Sequence, residues 1–267
     1  MELAKPILAS ALAWWLSTGA ILWLIRLPRS SHKWTAAGAT LVLALATFWL
    51  LHLRDRTGEA AAYQGFFAGL ALWAWHEVMF LTGLITGPER RPCPKGLQGW
   101  ERFRASARAV WHHEVGIAVH AAIIVLLSWG AANQFAAFTF LLLWAMRLSS
   151  KFVIYSGAPN AAAGFLPRHL DYLKTYFSLK RPGAVFIAAI AGVTSLAVWL
   201  AWTGLGQPTG SFGYAGFLLL ATMGTLAVIE HWALVLPVPD PSFWEWTRRD
   251  AEKSKRNGPN GGVNHGL

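Results

Sequence analysis

Charge is what this sequence has least of. Of its 267 residues 13% are charged and 55% are apolar, whereas a soluble domain usually carries about 25% charge. So few polar groups cannot cover the surface of a water-soluble enzyme, which excludes that class. Intrinsic disorder over the whole chain is excluded too, because it needs many charges and few apolar residues. Cysteine is almost absent, and Cys93 alone rules out an internal disulfide framework. The chain also has no Walker loop, no Gly-x-Gly-x-x-Gly and no Cys-x-x-Cys. The formal charge of +10 invites a nucleic-acid reading, but in a membrane protein the distribution of basic residues matters more than their sum. No nucleic-acid partner is expected.

What remains is apolar runs and 16 Trp, many of them near the run ends, as suits a protein with two membrane–water interfaces. About 20 apolar residues cross a bilayer. Seven runs qualify: 7–27, 34–53, 61–86, 106–130, 134–157, 182–203 and 212–236. Breakers mark their edges: Pro28 after the first, Gly87-Pro88 after the third, Pro182 opening the sixth and Pro237 closing the seventh. The fold class is therefore all-α, a polytopic membrane helix bundle of about seven transmembrane helices.

The basic residues orient it. With the N-terminus outside, segments 26–33, 87–108, 147–181 and the tail from 237 are cytoplasmic and hold 3, 6, 6 and 5 Lys/Arg. Only Lys5, Arg54 and Arg56 are left on the other side. This predicts N-terminus out and C-terminus in, with an uncleaved first span. Residues 1–240 read as a single transmembrane domain. Residues 241–267 read as a largely disordered cytoplasmic tail, with Phe243, Trp244 and Trp246 as an interfacial anchor. In 166–177, Leu166, Leu170, Leu173 and Phe177 recur at helical spacing, which suits either an amphipathic helix on the membrane surface or an ordinary structured connector.

Ionisable groups inside apolar spans are the informative residues, since each is costly unless it is paired. His76 and Glu77 lie in the third span. His112, His113, Glu114 and His120 lie in the fourth, Arg147 and Lys151 in the fifth, and Glu230 and His231 in the seventh. At ~1.5 Å per residue, Glu77 is roughly 13 Å and Glu230 roughly 9 Å from the inner ends of their spans. Glu114 and Arg147 fall near the same level, so a convergent cluster in the cytoplasmic half is expected. His32, His52 and His169 lie near interfaces or in a basic loop and read as solvated.

Three chemistries fit such a cluster. Glu77, His113, Glu114, Glu230 and His231 are metal-ligand types, and facing helices build di-iron sites from such residues. The usual Glu-x-x-His is missing, however, and Arg147 would add charge beside the cation. His113, His120, His76 and His231 are candidate ligands for a tetrapyrrole, with Trp73, Trp75, Trp111 and Trp232 as flat walls. The third reading is a buried ion-pair network in which Arg147 and Lys151 neutralise the carboxylates and fix helix register.

The run FLTGLITGPERRPCPKGLQGWERF, the HHE of the fourth span, NQFAAFTF and EHWALVLPVPD carry a resemblance from about Trp14 to Pro241. They resemble the PuhE family, integral membrane proteins of purple phototrophic bacteria described as photosynthetic-complex assembly factors. The resemblance implies a multi-pass protein of the bacterial inner (intracytoplasmic) membrane. It also implies a role in assembling or regulating the reaction centre and antenna, with their subunits, other assembly factors and membrane lipid as partners. Bacteriochlorophyll or a related tetrapyrrole would be the pigment handled. It supplies no catalytic residues. The alternative is a membrane-embedded, metal-dependent oxidative enzyme acting on a pigment or lipid intermediate through a transition metal, and whether the chain is an enzyme stays open.

Overall fold

A computed structural model describes residues 1–161 and 166–236. The tail from 241 and its aromatic anchor lie outside the described residues. Seven long helices form in the expected places: α1 (Ala4–Leu24), α2 (His32–His52), α3 (Glu59–Leu81), α4 (Gly99–Leu127), α5 (Phe135–Ser156), α6 (Ala184–Leu205) and α7 (Phe212–Ala233). Among the described residues there is no β-strand. All but α3 are long and apolar enough to cross a membrane. α3 is, with α7, among the most buried helices. Thirteen of its 23 residues are buried, against three of 21 in α2, so its polar groups lie among protein and not lipid.

Two boundaries move. The third run ends at Leu81, five residues early, because Gly83 takes a left-handed φ of +80°. Its amide reaches the Phe80 carbonyl, as in a glycine helix stop, and Ile85 N–H reaches the Met79 carbonyl at 3.0 Å. α4 starts seven residues before the apolar run, at Gly99, since its first turns face water and need no apolar character.

The connections segregate to two ends. At one, Arg54 donates to the carbonyls of Leu127 and Trp129, and Asn133 N–H donates to Arg54 O at 2.9 Å. At the other end, His169 lies beside Leu81 and His32, and Cys93 N–H donates to Thr175 at 2.7 Å. Arg102 there donates to the Tyr176 carbonyl at 2.8 Å, and Asn160 N–H donates to Leu234 O at 3.1 Å. The basic connections of 25–31, 82–98 and 166–183 therefore share one end.

The segment read as a possible surface helix is a 3-10 helix, Arg168–Tyr176. It buries Leu170, Leu173 and Tyr176, a three-residue repeat that matches the 3-10 turn and not the α-helix. That apolar face is covered by the protein itself, so of the two readings the structured connector holds.

In lipid, helices gain little from hiding apolar surface from one another, and close packing takes over. Close approaches at glycine do this work. A side chain at Gly69 of α3 would meet the Ala136 carbonyl and Thr139 of α5, and one at Gly216 of α7 would overlap the Phe135 ring. Asn133 fixes the same junction: its side-chain amide donates to Ala61 O at 3.0 Å and its oxygen accepts from Phe135 N–H at 3.1 Å.

Candidate functional site

Each carboxylate predicted to converge does so, but onto a cation. Arg147 of α5 reaches Glu77 of α3 at 3.4 Å and Glu230 of α7 at 3.9 Å. One turn along α5, Lys151 pairs with Glu114 of α4. Positions 147 and 151 lie on one face of α5, so a single helix neutralises acids from its three neighbours. Glu77 Oε1 and Arg147 Nε are left without a partner among the described residues.

The imidazoles divide into two groups. His231 is fully buried; its Nδ1 donates to the Ala227 carbonyl at 2.8 Å, which leaves Nε2 to accept from Ser149 at 3.0 Å. Both of its ring nitrogens are used. Ser149 carried no sequence signal, since a serine in an apolar helix usually bonds only to its own backbone. In the second group, His76 Nε2 and His120 Nδ1 are 2.8 Å apart, and the His113 ring centroid lies 6.4 Å from that of His76. His113 is 1% exposed, packs on Phe80 with ring centroids 4.4 Å apart, and has no partner for Nε2 among the described residues.

This placement bears unequally on the readings. Among the described residues no three His, Cys, Asp or Glu come together in a way that would hold a metal ion. The physical reason is the two cations: a guanidinium between Glu77 and Glu230 occupies the place a dication would take. Both His113 and His231 are buried, at 1% and 0% exposed. His120 differs. It is part-exposed on α4, packs edge-on against Phe140, and beyond its bond to His76 makes no side-chain hydrogen bond among the described residues. Gly116, one turn away on the same face, has no atom within 4 Å of where a Cβ would stand. Trp75 stands edge-on to His76 at 4.9 Å and donates its indole N–H to Thr40 of α2 at 3.1 Å. Trp111 and Trp232 are exposed, and Trp73 is buried against Phe140.

The strings behind the resemblance sit at contacts between elements. In FLTGLITGP, Thr86 O accepts from His113 N–H at 2.9 Å, and Gly87 lies against the backbone of Arg108 and Ala109 with no room for a Cβ. NQFAAFTF carries Asn133 and the Phe135 that fills the Gly216 notch, and EHW carries Glu230 and His231. A family model described as a protein of unknown function (DUF3623) matches residues 1–255. The chain belongs to that family. In Rhodobacter capsulatus an "uncharacterized 30.4 kDa protein in puhA 5′ region" is 32% identical over 244 residues, covering 90% of this chain and 88% of the relative. No solved structure matches. The DUF3623 match runs beyond the Trp14–Pro241 stretch at both ends, and the relative's position at puhA agrees with the PuhE resemblance.

At the end that carries the 3-10 helix, the sequence reading of His32 and His169 as solvated is corrected. His32 is 8% exposed, and His169 donates through Nε2 to Leu81 O at 3.0 Å. Burial holds the His169 pKa below its ordinary 6.5; the Leu81 bond opposes this, and Arg29 adds to the lowering. A base with a depressed folded-state pKa contributes full stability above 6.5 and loses it as pH falls below that value. The protection factors of the 168–176 amides, which are observed exchange rates corrected for the intrinsic rate, should therefore fall between pH 7 and pH 5. That fall should vanish in His169→Gln.

Proposed function

We propose that this chain is an integral membrane factor for assembly or regulation of a photosynthetic reaction centre and antenna complex, and that it holds a bacteriochlorophyll or related tetrapyrrole at His120. The observation that carries this reading is the state of the His120 imidazole. One nitrogen is tied to His76, and the other is free to ligate a metal-centred macrocycle. The side of α4 at Gly116, where nothing stands within 4 Å of a Cβ position, leaves room for the edge of such a ring. The bound group would supply the pigment's light absorption. The chain's own part is to orient the ligating ring through His76 and to keep water away with the packed Phe140 and Ile117, both fully buried.

In this reading all seven long helices span the inner membrane, with the N-terminus outside and the basic end in the cytoplasm. Residues up to about 240 form the membrane domain, followed by a cytoplasmic tail. The outer face of α6 suits a partner helix: Ala188, Gly192 and Ser195 are exposed along one side, and small residues let helices approach closely in lipid. Arg147, Lys151, Glu77, Glu114 and Glu230 hold helix register. They carry no chemistry.

The test is gentle solubilisation from phototrophically grown cells, followed by affinity purification, an absorption spectrum and identification of co-purifying chains. Bound bacteriochlorophyll and reaction-centre or antenna subunits are expected. His120→Leu should lose most of the pigment, while His52→Gln, at the other end, keeps it. Protein without pigment or photosynthetic subunits would overturn the proposal, and pigment retained by His120→Leu would overturn the site.

A further inference from the structure

At the basic end a cavity of about 350 Å³ opens between the α1–α2 turn, the segment after α3 and the 3-10 helix. Its lining includes Arg29, Arg90, His32 and His169, and no acidic residue. Neither guanidinium is in an ion pair among the described residues. Two further groups point to a ligand. Thr86 is 1% exposed and Tyr172 is half-buried; both line the cavity, and both have a buried hydroxyl without a hydrogen-bond partner among the described residues. Buried hydroxyls are normally bonded, so these two stand ready for an acceptor. The nearest acid on the 3-10 helix, Asp171, is taken by Lys174 at 2.6 Å.

We propose that this cavity binds the phosphate of a phosphate ester, with the guanidiniums of Arg29 and Arg90 at its rim and the hydroxyls of Thr86 and Tyr172 donating from within. A tetrahedral oxyanion has the several acceptor oxygens that this set of donors requires, and guanidinium forks match phosphate oxygens. A neutral ligand would leave two cations without a counter-charge. The phosphate could belong to a membrane lipid or to a soluble ester. The lipid source is favoured by position, because the cavity lies where the helices end, with Leu84 exposed in its lining and Trp34 exposed at the start of α2. Acyl chains would run beside these, and basic pockets between helices at the cytoplasmic surface bind anionic headgroups.

The experiment uses the full chain in two arms. In the first, protein in nanodiscs of phosphatidylglycerol and phosphatidylcholine is released and weighed by native mass spectrometry to count retained phosphatidylglycerol. In the second, inorganic phosphate is titrated into the detergent-solubilised protein and the thermal midpoint is followed. Wild-type protein should retain phosphatidylglycerol over phosphatidylcholine, and its midpoint should rise with phosphate. The variant R29Q/R90Q should lose both responses by at least tenfold, and Y172F by a smaller factor. A phosphate response that R29Q/R90Q abolishes, without phosphatidylglycerol retention, assigns the site to a soluble ester. Retention and midpoint shifts equal in wild type and R29Q/R90Q would overturn the proposal. If R29Q/R90Q fails to fold, Y172F decides, because it removes one oxygen from a position that makes no bond: equal binding by Y172F overturns the proposal.

Discussion

Replacing Arg147 with Met should cost about 3–5 kcal/mol, the usual penalty for removing one partner of a buried ion pair. Arg147 is held by Glu77 and Glu230, so its loss leaves the largely buried carboxylate of Glu77 without a counter-charge and frees the exposed Glu230. The Arg147 side chain is about one-third exposed, which puts the loss at the lower end of that range. The protein should accumulate poorly in membranes, and the purified remainder should unfold at a clearly lower temperature in detergent. The triple variant Arg147→Met, Glu77→Gln, Glu230→Gln should recover much of the loss, because it removes the charges together. An unchanged thermal midpoint in the single variant would show that the pairs do not hold the bundle.

Gly69→Val should be nearly as severe. A Cβ at this position would lie 2.5 Å from the Ala136 carbonyl oxygen and 2.7 Å from the Thr139 Cβ, closer than atoms pack. α3 and α5 would have to separate, and overpacking of this kind costs about 1–3 kcal/mol or more. Gly38→Ala provides the contrast. Nothing lies within 4 Å of its Cβ position, so it should be neutral or stabilising by about 0.5–1 kcal/mol through helix propensity. Thermal unfolding of the two variants side by side tests whether glycine matters here for contact or for flexibility.

The helices were legible because apolar runs of bilayer length and their Pro and Gly edges leave few alternatives. The level of the acids and bases was legible for a similar reason: an ionisable group in an apolar span has to meet another. Their partition was not. Whether Glu77, Glu114 and Glu230 face each other or face Arg147 and Lys151 depends on the rotation of α3, α4 and α7 about their axes. Hydrophobicity all round a helix does not encode that rotation. The form of the 168–176 segment stayed open in the sequence because Leu170 and Leu173 suit both periods, and only the burial of Tyr176 tells them apart. The basic cavity was invisible for another reason. Arg29, His169 and the Thr86-to-Arg90 stretch are distant in sequence, and each by itself looks like an ordinary piece of a loop or turn.

The helix at the centre is the one least suited to entering lipid unaided. α3 carries Gln64, His76 and Glu77, and an ionised side chain within a span is costly unless it is paired. Arg147, which neutralises Glu77, is synthesised some 70 residues later. Glu77 has no cation to pair with until α5 is made, so α3 reaches its final packing only after the helices that follow it.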